Sequence, residues 1–202
     1  MVDRPEASKA PKAARAIAAA VIVLVICLVG LFILWRRHAA SAHVDGRLTL
    51  QLASSSFADG DDLPQRMTCD GAGDSPEMHW GAPPAAARSF ALVMNDPDAP
   101  IDFTHWLVYN IPANARALPE GASNRRALPQ GAEEGTNSFG RTGYGGPCPP
   151  EGKMHHYVFR LYALDSKLDL PLAASKNEME SAIAGHILAE GRIVGTYQHS
   201  GE

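Results

Sequence analysis

The most informative stretch of the chain is GYGGPCPPEG at residues 143–152, followed by HHYVF at residues 155–159. Its first ten residues include four glycines and three prolines. Glycine lets backbone N–H groups approach a ligand closely, and proline fixes the loop around them. Two histidines then open an apolar run that is typical of a β-strand. This stretch therefore predicts a rigid loop beside a strand, with a preformed polar pocket.

A second polar cluster lies about 50 residues earlier, where NDPDAP at residues 95–100 is followed by His105 and Trp106. It fits a strand-end turn that aims carboxylates into a pocket. Taken alone, it fits an ordinary β-turn better, because Asp and Pro are default turn residues. His105 alone equally fits a buried histidine bonded to backbone, and Tyr157 alone fits core packing. His155 and Tyr157, two apart on a strand, share one face and can line the same pocket.

Hydrophobic periodicity predicts a mainly antiparallel β domain with helical decoration. Strands are expected at residues 48–52, 89–94, 106–111, 157–164 and 193–197, each bounded by turn-forming residues. One helix is expected near the end, because Ser175 and Glu178 have the spacing of a capping box. Gly191 is the expected stop. The expected buried face of this helix is Met179, Ala182, Ile183, His186 and Ile187.

The N-terminal part predicts a membrane segment. Residues 17–35 form an uncharged apolar run of 19 residues, about the length of a helix that spans a bilayer. We therefore predict a disordered tail over 1–15, a transmembrane signal anchor over 16–35, a linker over 36–46 and a folded domain over 47–202. Residues 40–42, Ala-Ser-Ala, resemble a signal-peptidase site, so cleavage is the alternative.

Charge indicates the orientation of that span and excludes one class of partner. Four basic residues precede the run and two follow it, which places the N-terminus inside and the folded domain outside the cytoplasm. From residue 38 onward the chain has 12 Lys+Arg and 20 Asp+Glu, a net charge of −8. Such a surface has no long-range attraction for nucleic acid, so no nucleic-acid partner is expected.

Cysteines and histidines leave several chemistries open. Cys69 and Cys148, one in each of two Gly/Pro-rich loops, either pair as a disulfide in an oxidising compartment or remain buried thiols. His105, His155 and a carboxylate resemble a two-histidine, one-carboxylate set, but no spacing demands a metal and none is expected. Hydrolysis lacks a nucleophile–base pair, although Ser75, Ser138 and Cys148 are available.

Together the motifs identify a family. The chain resembles the phosphatidylethanolamine-binding protein family, and most of all its bacterial branch of Raf-kinase-inhibitor-like proteins. The resemblance covers roughly residues 47–198. It rests on DPDAP at 96–100, HWLVYNIP at 105–112, YGGPCPP at 144–150, HHYVFRLYAL at 155–164, TCDG at 68–71 with Ser75, Pro76 and Trp80, and GTY at 195–197.

The resemblance implies an antiparallel Greek-key β-sandwich with a C-terminal helix, here preceded by the predicted transmembrane helix. It also implies a cis peptide bond, for which Ala99–Pro100 is the candidate. A small anion pocket is expected at the end of the sheet. Carried over by motif, its ligand-binding residues would be Asp96, Asp98, Pro100, His105, Gly146, Pro147, His155 and Tyr157.

In this pocket, loop N–H groups and histidine N–H groups would donate to an oxyanion, and the aspartates would fix histidine tautomers or accept from an ammonium group. The expected function is a non-catalytic protein of the bacterial inner membrane that binds a small anion or phospholipid headgroup in a periplasmic domain. No cofactor is expected. The alternatives are an inhibitor or regulator of a protease or kinase, as eukaryotic relatives are, and a weak hydrolase. No protein partner follows from the sequence.

Overall fold

The structure, a computed structural model, describes residues 48–123 and 127–199. Contacts group Arg47–Glu202 as one compact unit. The elements in chain order are β1 (Leu48–Thr49), β2 (Leu52–Ala53), a 3-10 turn (Gln65–Met67), β3 (Met78–Trp80), β4 (Ser89–Asp96), β5 (Phe103–Pro112), β6 (Ala117–Leu118), β7 (Glu133–Glu134), β8 (Met154–Leu164), α1 (Lys176–Ile183) and β9 (Ile187–Gln198).

These strands form two sheets. The larger has six strands in the order β1-β9-β8-β4-β5-β7, and the smaller has three in the order β2-β3-β6. β4 lies at the centre of the larger sheet, antiparallel to both β5 and β8. All eight of its residues are buried, and five of them, residues 90–94, form a continuous apolar run because both faces of the sheet are covered.

Two apolar clusters cover the two faces of the larger sheet. Phe90, Leu92 and Met94 on one face of β4 pack in the same cluster as Trp80 and Leu118 of the smaller sheet. Since successive side chains of a strand point to opposite faces, the residues between them, such as Val93, belong to the second cluster. α1 and the segment before it cover that second face.

The predicted helix forms at its predicted capping box. The Ser175 hydroxyl accepts from the N–H of Glu178 at 3.3 Å, and the Glu178 carboxylate accepts from the N–H of Ser175 at 2.8 Å. Met179 and Ile183 face the core. The helix ends at Ile183 and not at Gly191, which lies in β9, where a Cβ atom would stand 2.5 Å from the Leu50 carbonyl oxygen.

All five strands expected from the pattern are present, most of them longer than expected. The first is divided: Leu48–Thr49 pairs with β9 in the larger sheet, and Leu52–Ala53 pairs with β3 in the smaller one. Between them, the Leu50 N–H donates to the Glu190 carbonyl oxygen at 2.8 Å. The chain therefore crosses from one sheet to the other at Leu50.

Three expectations need correction. The pairing is not wholly antiparallel, because β1 runs parallel to β9. The cis bond expected at Ala99–Pro100 is not present, since the described residues contain no cis peptide. The predicted fold class included a transmembrane helix, and in this it is wrong: no helix in residues 48–123 and 127–199 is long and apolar enough to cross a membrane.

The helix that is described, α1, has eight residues, whereas a membrane span needs about 20. The segment on which the anchor was predicted, residues 16–35, lies outside the described residues. The expected location, a single pass through a bacterial inner membrane with a periplasmic domain, depended on that span and is corrected with it.

Candidate functional site

The candidate site lies where the end of β4 meets the beginnings of two neighbouring strands. Because β4 is antiparallel to both neighbours, Asn95 pairs with Thr104 of β5 on one side and with Val158 of β8 on the other. A cavity of about 180 Å³ opens here. Its lining residues are Asp96, Ala99, Pro100, Phe103, His105, Phe139, Cys148, Pro149, Pro150, His155 and Tyr157.

His105 reaches the cavity because of an irregularity in β5. Met94 pairs with Trp106, and the next residue, Asn95, pairs with Thr104, so His105 is an extra residue without a partner on β4. Such β-bulges re-aim a side chain and occur beside active sites. The bulge explains how a side chain inside a buried strand comes to line a cavity at its end.

His155 is held by Asp96. The two side chains are almost fully buried, at 8% and 6% exposure, and His155 Nδ1 lies 2.7 Å from Asp96 Oδ2. A carboxylate accepts, so the Nδ1–H donates and Nε2 is left as the nitrogen that can carry the second ring proton. The other oxygen of Asp96 accepts from the N–H groups of Asp98 and Ala99, at 2.9 and 3.1 Å. Asp96 therefore fixes both the loop and the histidine tautomer.

His105 bonds to a backbone carbonyl and not to a carboxylate. Its Nδ1 lies 2.7 Å from the Gly145 carbonyl oxygen, which can only accept, so the proton is on Nδ1. Burial lowers the pKa of His105 below its ordinary value of 6.5, despite this hydrogen bond and the charge of Asp96. His105 is therefore neutral near pH 7, and its Nε2 is an acceptor. The expectation that both histidines donate to an anion is wrong for this one.

Tyr157 lines the same cavity and has a buried hydroxyl. Its side chain is fully buried, and the hydroxyl has no hydrogen-bond partner among the described residues. Burial, together with the charges of Asp96 and Asp98, raises the pKa of this hydroxyl, so it remains protonated. An unpaired buried hydroxyl costs about 1–3 kcal/mol.

The other predicted residues differ in where they lie. Pro100 lines the cavity. Asp98 points away from it and accepts from the backbone N–H and Nδ1 of His156, at 2.7 and 2.8 Å. Gly146 and Pro147 are not among the lining residues, and the Pro147 carbonyl oxygen accepts from the Cys69 N–H at 3.0 Å. A Cβ at Gly146 would stand 2.9 Å from the Met67 carbonyl oxygen.

Sequence reasoning missed the apolar half of the cavity. Phe103 packs at 4.9 Å from Phe139 and at 5.0 Å from His105, measured between ring centroids. Phe139 comes from a separate loop, which is fixed by a hydrogen bond of 2.8 Å from the Ser138 N–H to the Thr104 carbonyl oxygen. Proximity of Phe103 to His105 along the chain was a usable signal. Nothing in the sequence indicated Phe139.

The two cysteines of the folded part join the two loops behind the cavity. Cys69 and Cys148 form a disulfide, with their Cα atoms 5.4 Å apart. Of the two outcomes left open by the sequence, the structure therefore has the paired one. Cys148 also lines the cavity, so the disulfide fixes part of its wall.

The nucleophiles considered from sequence are engaged elsewhere. Cys148 is in the disulfide, the hydroxyl of Ser138 accepts from the Thr104 N–H, and that of Ser75 accepts from the Ser123 N–H. The two cavity histidines bond to Gly145 and Asp96 rather than to a hydroxyl or a thiol. The described residues thus contain no histidine-activated nucleophile at the cavity.

The fold and the cavity define a class: over the described residues, a mainly β protein with one α-helix and a small pocket, lined by two histidines and three other aromatic residues, at the end of its larger sheet. The model of the phosphatidylethanolamine-binding protein family matches residues 53–198. The chain belongs to that family, which confirms the resemblance found in its motifs.

Relatives in several organisms agree. The chain is 44% identical over 150 residues to a UPF0098 protein of Methanothermobacter thermautotrophicus, covering 74% of this chain and 99% of the relative. A UPF0098 protein of Aquifex aeolicus is 44% identical over 156 residues, covering 76% of this chain and 91% of the relative.

Among solved structures, E. coli YbcL, described as a new member of the mammalian PEBP family, superposes with a TM-score of 0.71 at 34% identity. The PEBP homologue CT736 of Chlamydia trachomatis superposes with a TM-score of 0.69 at 35% identity. Each alignment covers 75% of this chain and 99% of the other.

Proposed function

We propose that this protein binds a small oxyanion, such as a phosphate or the phosphorylated headgroup of a lipid, and does so without catalysis. One observation carries the proposal: Tyr157 lines the cavity and has a buried hydroxyl without a partner among the described residues, and His155, whose Nδ1 is held by Asp96, lines the same cavity. Buried polar groups are rarely left unpaired unless something else supplies the partner. An oxyanion would accept from this hydroxyl.

The cavity offers two donors and one acceptor to such a ligand. Tyr157 donates through its hydroxyl, and His155 donates through Nε2 when its ring carries two protons. His105 accepts through Nε2. This set suits a group with both a charged oxygen and a hydrogen to donate, such as a monoprotonated phosphate or an ethanolamine phosphate with its ammonium group.

Size and apolar lining favour a small group. The cavity of about 180 Å³ is below the range of about 300–1,000 Å³ that holds drug-sized ligands. Phe103 and Phe139 line the cavity. The Arg141 guanidinium already lies 5.5 Å from the centroid of the Phe139 ring, so Phe103 is the ring proposed for a cation–π contact with an ammonium. Because the histidines contact no nucleophile, binding without hydrolysis is the function that this arrangement supports best.

Calorimetric titration with phosphate, phosphorylethanolamine and acetate tests the proposal. His155→Ala removes a donor to a charged group and should weaken phosphate binding by about 1.5–3 kcal/mol, or roughly ten- to a hundredfold. The matched control is His156→Ala, which removes the next residue, on the opposite face of the strand, and should leave binding unchanged. Equal binding by wild type and His155→Ala would contradict the assignment of this cavity.

The pH dependence of anion binding tests whether the His155 ring donates from Nε2. If the anion accepts from Nε2–H, the His155 ring must carry two protons, so binding should weaken as pH rises. Burial lowers the pKa of His105, which also lines the cavity, so this ring is less readily protonated than an ordinary histidine and is not expected to add a second charge-assisted bond. Tighter binding of phosphorylethanolamine than of phosphate would indicate the headgroup; equal binding would indicate the oxyanion alone. Turnover of a phosphate ester that is lost in His155→Ala would overturn the non-catalytic part.

A further inference from the structure

A second cluster of reactive side chains lies at the disulfide. The possible ligand atoms of Cys69, Asp70 and His199 all lie within 4.8 Å of one another. Cys148, bonded to Cys69, brings a second sulfur to the same place. In the oxidised protein the sulfurs are bonded to each other. In the reduced protein two thiols, an imidazole and a carboxylate would converge here.

The two cysteines are held together by more than their own bond. The Cys69 N–H donates to the Pro147 carbonyl oxygen at 3.0 Å, and the Tyr144 hydroxyl donates to the Met67 carbonyl oxygen at 2.8 Å. The close approach of Gly146 to Met67 packs the same two loops against each other. Because these contacts do not depend on the disulfide, reduction leaves the thiols adjacent.

His199 offers its Nδ1 to this cluster. That nitrogen lies 2.8 Å from Asp70 Oδ2 and donates to it. A metal ligand must be deprotonated, so in the zinc-bound form the ring proton is on Nε2, and the ion takes the place of the Nδ1 proton between His199 and Asp70. The Tyr197 hydroxyl donates to the same Asp70 oxygen and fixes it further.

We propose that, once the disulfide is reduced, Cys69, Cys148, Asp70 and His199 bind Zn²⁺ in place of the S–S bond. A dithiol or phosphine reductant supplies two electrons, and two protons from water complete the two thiols. Zinc binding then displaces those protons and forms two Zn–S bonds. The ion then links the two loops in place of the S–S bond. Because Cys148 lines the anion cavity, the ion also holds that part of the cavity wall in position.

The dimensions of the cluster suit a tetrahedral ion. Zn–S bonds of about 2.3 Å and Zn–O bonds of about 2.0–2.2 Å place neighbouring ligand atoms roughly 3.5 Å apart. Cys69 Sγ lies 3.8 Å from Asp70 Oδ1. The two sulfurs must separate to roughly 3.7 Å, which side-chain rotation permits, because both cysteines are exposed. Asp70 also lines a cleft of about 380 Å³, together with Asp62 and Tyr197.

The four proposed ligands do not form a known zinc-binding sequence motif. Its ligands come from positions 69, 70, 148 and 199, so neither a CxxC pair nor a Cys/His spacing is present. Only the folded arrangement of three segments brings them together. The proposal is independent of the ligand in the anion cavity.

The experiment compares the full chain before and after reduction. Protein reduced with a phosphine, which is then removed under nitrogen, is titrated with ZnCl₂ against a chromophoric chelator. We expect one zinc per chain, bound more than about a hundredfold more tightly than by oxidised protein, since loss of an outer-shell partner alone costs about 10–100-fold. Co²⁺ should give the thiolate charge-transfer absorption and the intense visible bands of a tetrahedral site.

His199→Ala should weaken zinc binding by the reduced protein by at least about tenfold. The matched control is His186→Ala. His186 is also a partly exposed histidine whose Nδ1 lies 2.8 Å from a carboxylate, that of Asp165, but the zinc cluster does not include it. Circular dichroism should show both variants folded, since these histidines are on the surface.

Zinc binding that is equal in reduced and oxidised protein would overturn the proposal, and so would equal binding by the two histidine variants. Should reduction unfold the domain, circular dichroism shows it, and addition of Zn²⁺ must then restore the folded spectrum. Failure to restore it would contradict the site equally.

Discussion

Two histidine–aspartate pairs join the same two segments of the chain but lie in opposite environments. His155 with Asp96 is buried, at 8% and 6% side-chain exposure, whereas His156 with Asp98 is exposed, at 53% and 41%. Their Nδ1–O distances are 2.7 and 2.8 Å. Chemistry and geometry are thus nearly equal. The alternation of the strand sends one pair to the cavity and the other to solvent, so burial and not bonding distinguishes a candidate site from a surface contact.

The largest expected effect is the loss of stability when the buried pair is broken. Asp96→Ala leaves His155 buried without its carboxylate and removes the acceptor of two loop N–H groups, so unfolding should require about 3 kcal/mol less free energy. Asp98→Ala, the matched change in the exposed pair, should cost less than about 1 kcal/mol. Urea denaturation at neutral pH measures both. Equal losses would mean that burial does not separate the two pairs.

An intermediate effect is expected from removal of the Tyr157 hydroxyl, and it tests whether this hydroxyl binds a ligand. Tyr157→Phe removes an unpaired buried hydroxyl, so the ligand-free protein should gain about 1 kcal/mol in stability. Phosphate binding should weaken by about 1.5–3 kcal/mol because a donor to a charged group is lost. Stability and affinity therefore change in opposite directions.

Tyr109→Phe is the control for that change. The Tyr109 hydroxyl donates to the Pro171 carbonyl oxygen at 3.0 Å, outside the cavity, so its removal should cost about 1 kcal/mol of stability and leave phosphate binding unchanged. Thermal denaturation and calorimetry distinguish the two variants. A Tyr157→Phe protein that is destabilised like Tyr109→Phe would show that Tyr157 already has a partner.

The smallest expected effect concerns the exposed pair. Hydrogen bonds from the side chain and the backbone N–H of His156 lower the pKa of Asp98. A lowered pKa stabilises the fold above the unfolded value, and this contribution is lost as pH falls through the folded value. His156→Ala should raise the Asp98 pKa toward its ordinary value of 3.8, which carboxyl NMR titration measures. An unchanged pKa would mean that the contact is not formed in solution.

How much of this could be read from the sequence depends on the range of the interaction. Alternation predicted the strands, and the spacing of Ser175 and Glu178 predicted the start of α1, because both signals are local. The helix was expected to run on to Gly191 because the apolar spacing continues through Ile187. The chain instead turns at Gly185, with φ of 83°, and enters β9.

Within the site, Asp96, His105, His155 and Tyr157 were predicted to lie together, and they do line one cavity. What failed was the direction of individual groups. Asp98 lies in the right loop but faces His156, and Gly146 and Pro147 do not line the cavity. The bulge at His105 and the approach of Phe139 depend on pairing between distant segments, which no local pattern encodes.

The crossing of the chain at Leu50 has a consequence for how the protein is made. Strand β1 joins the larger sheet only after β9 exists to pair with it, and about 140 residues separate the two partners in the chain. Contacts of such long sequence separation make folding slow, because loop closure must precede them. During synthesis β1 therefore remains unpaired until nearly the whole domain has left the ribosome. In that interval the edge of β1 is exposed and prone to aggregation, and a chaperone would have its largest effect.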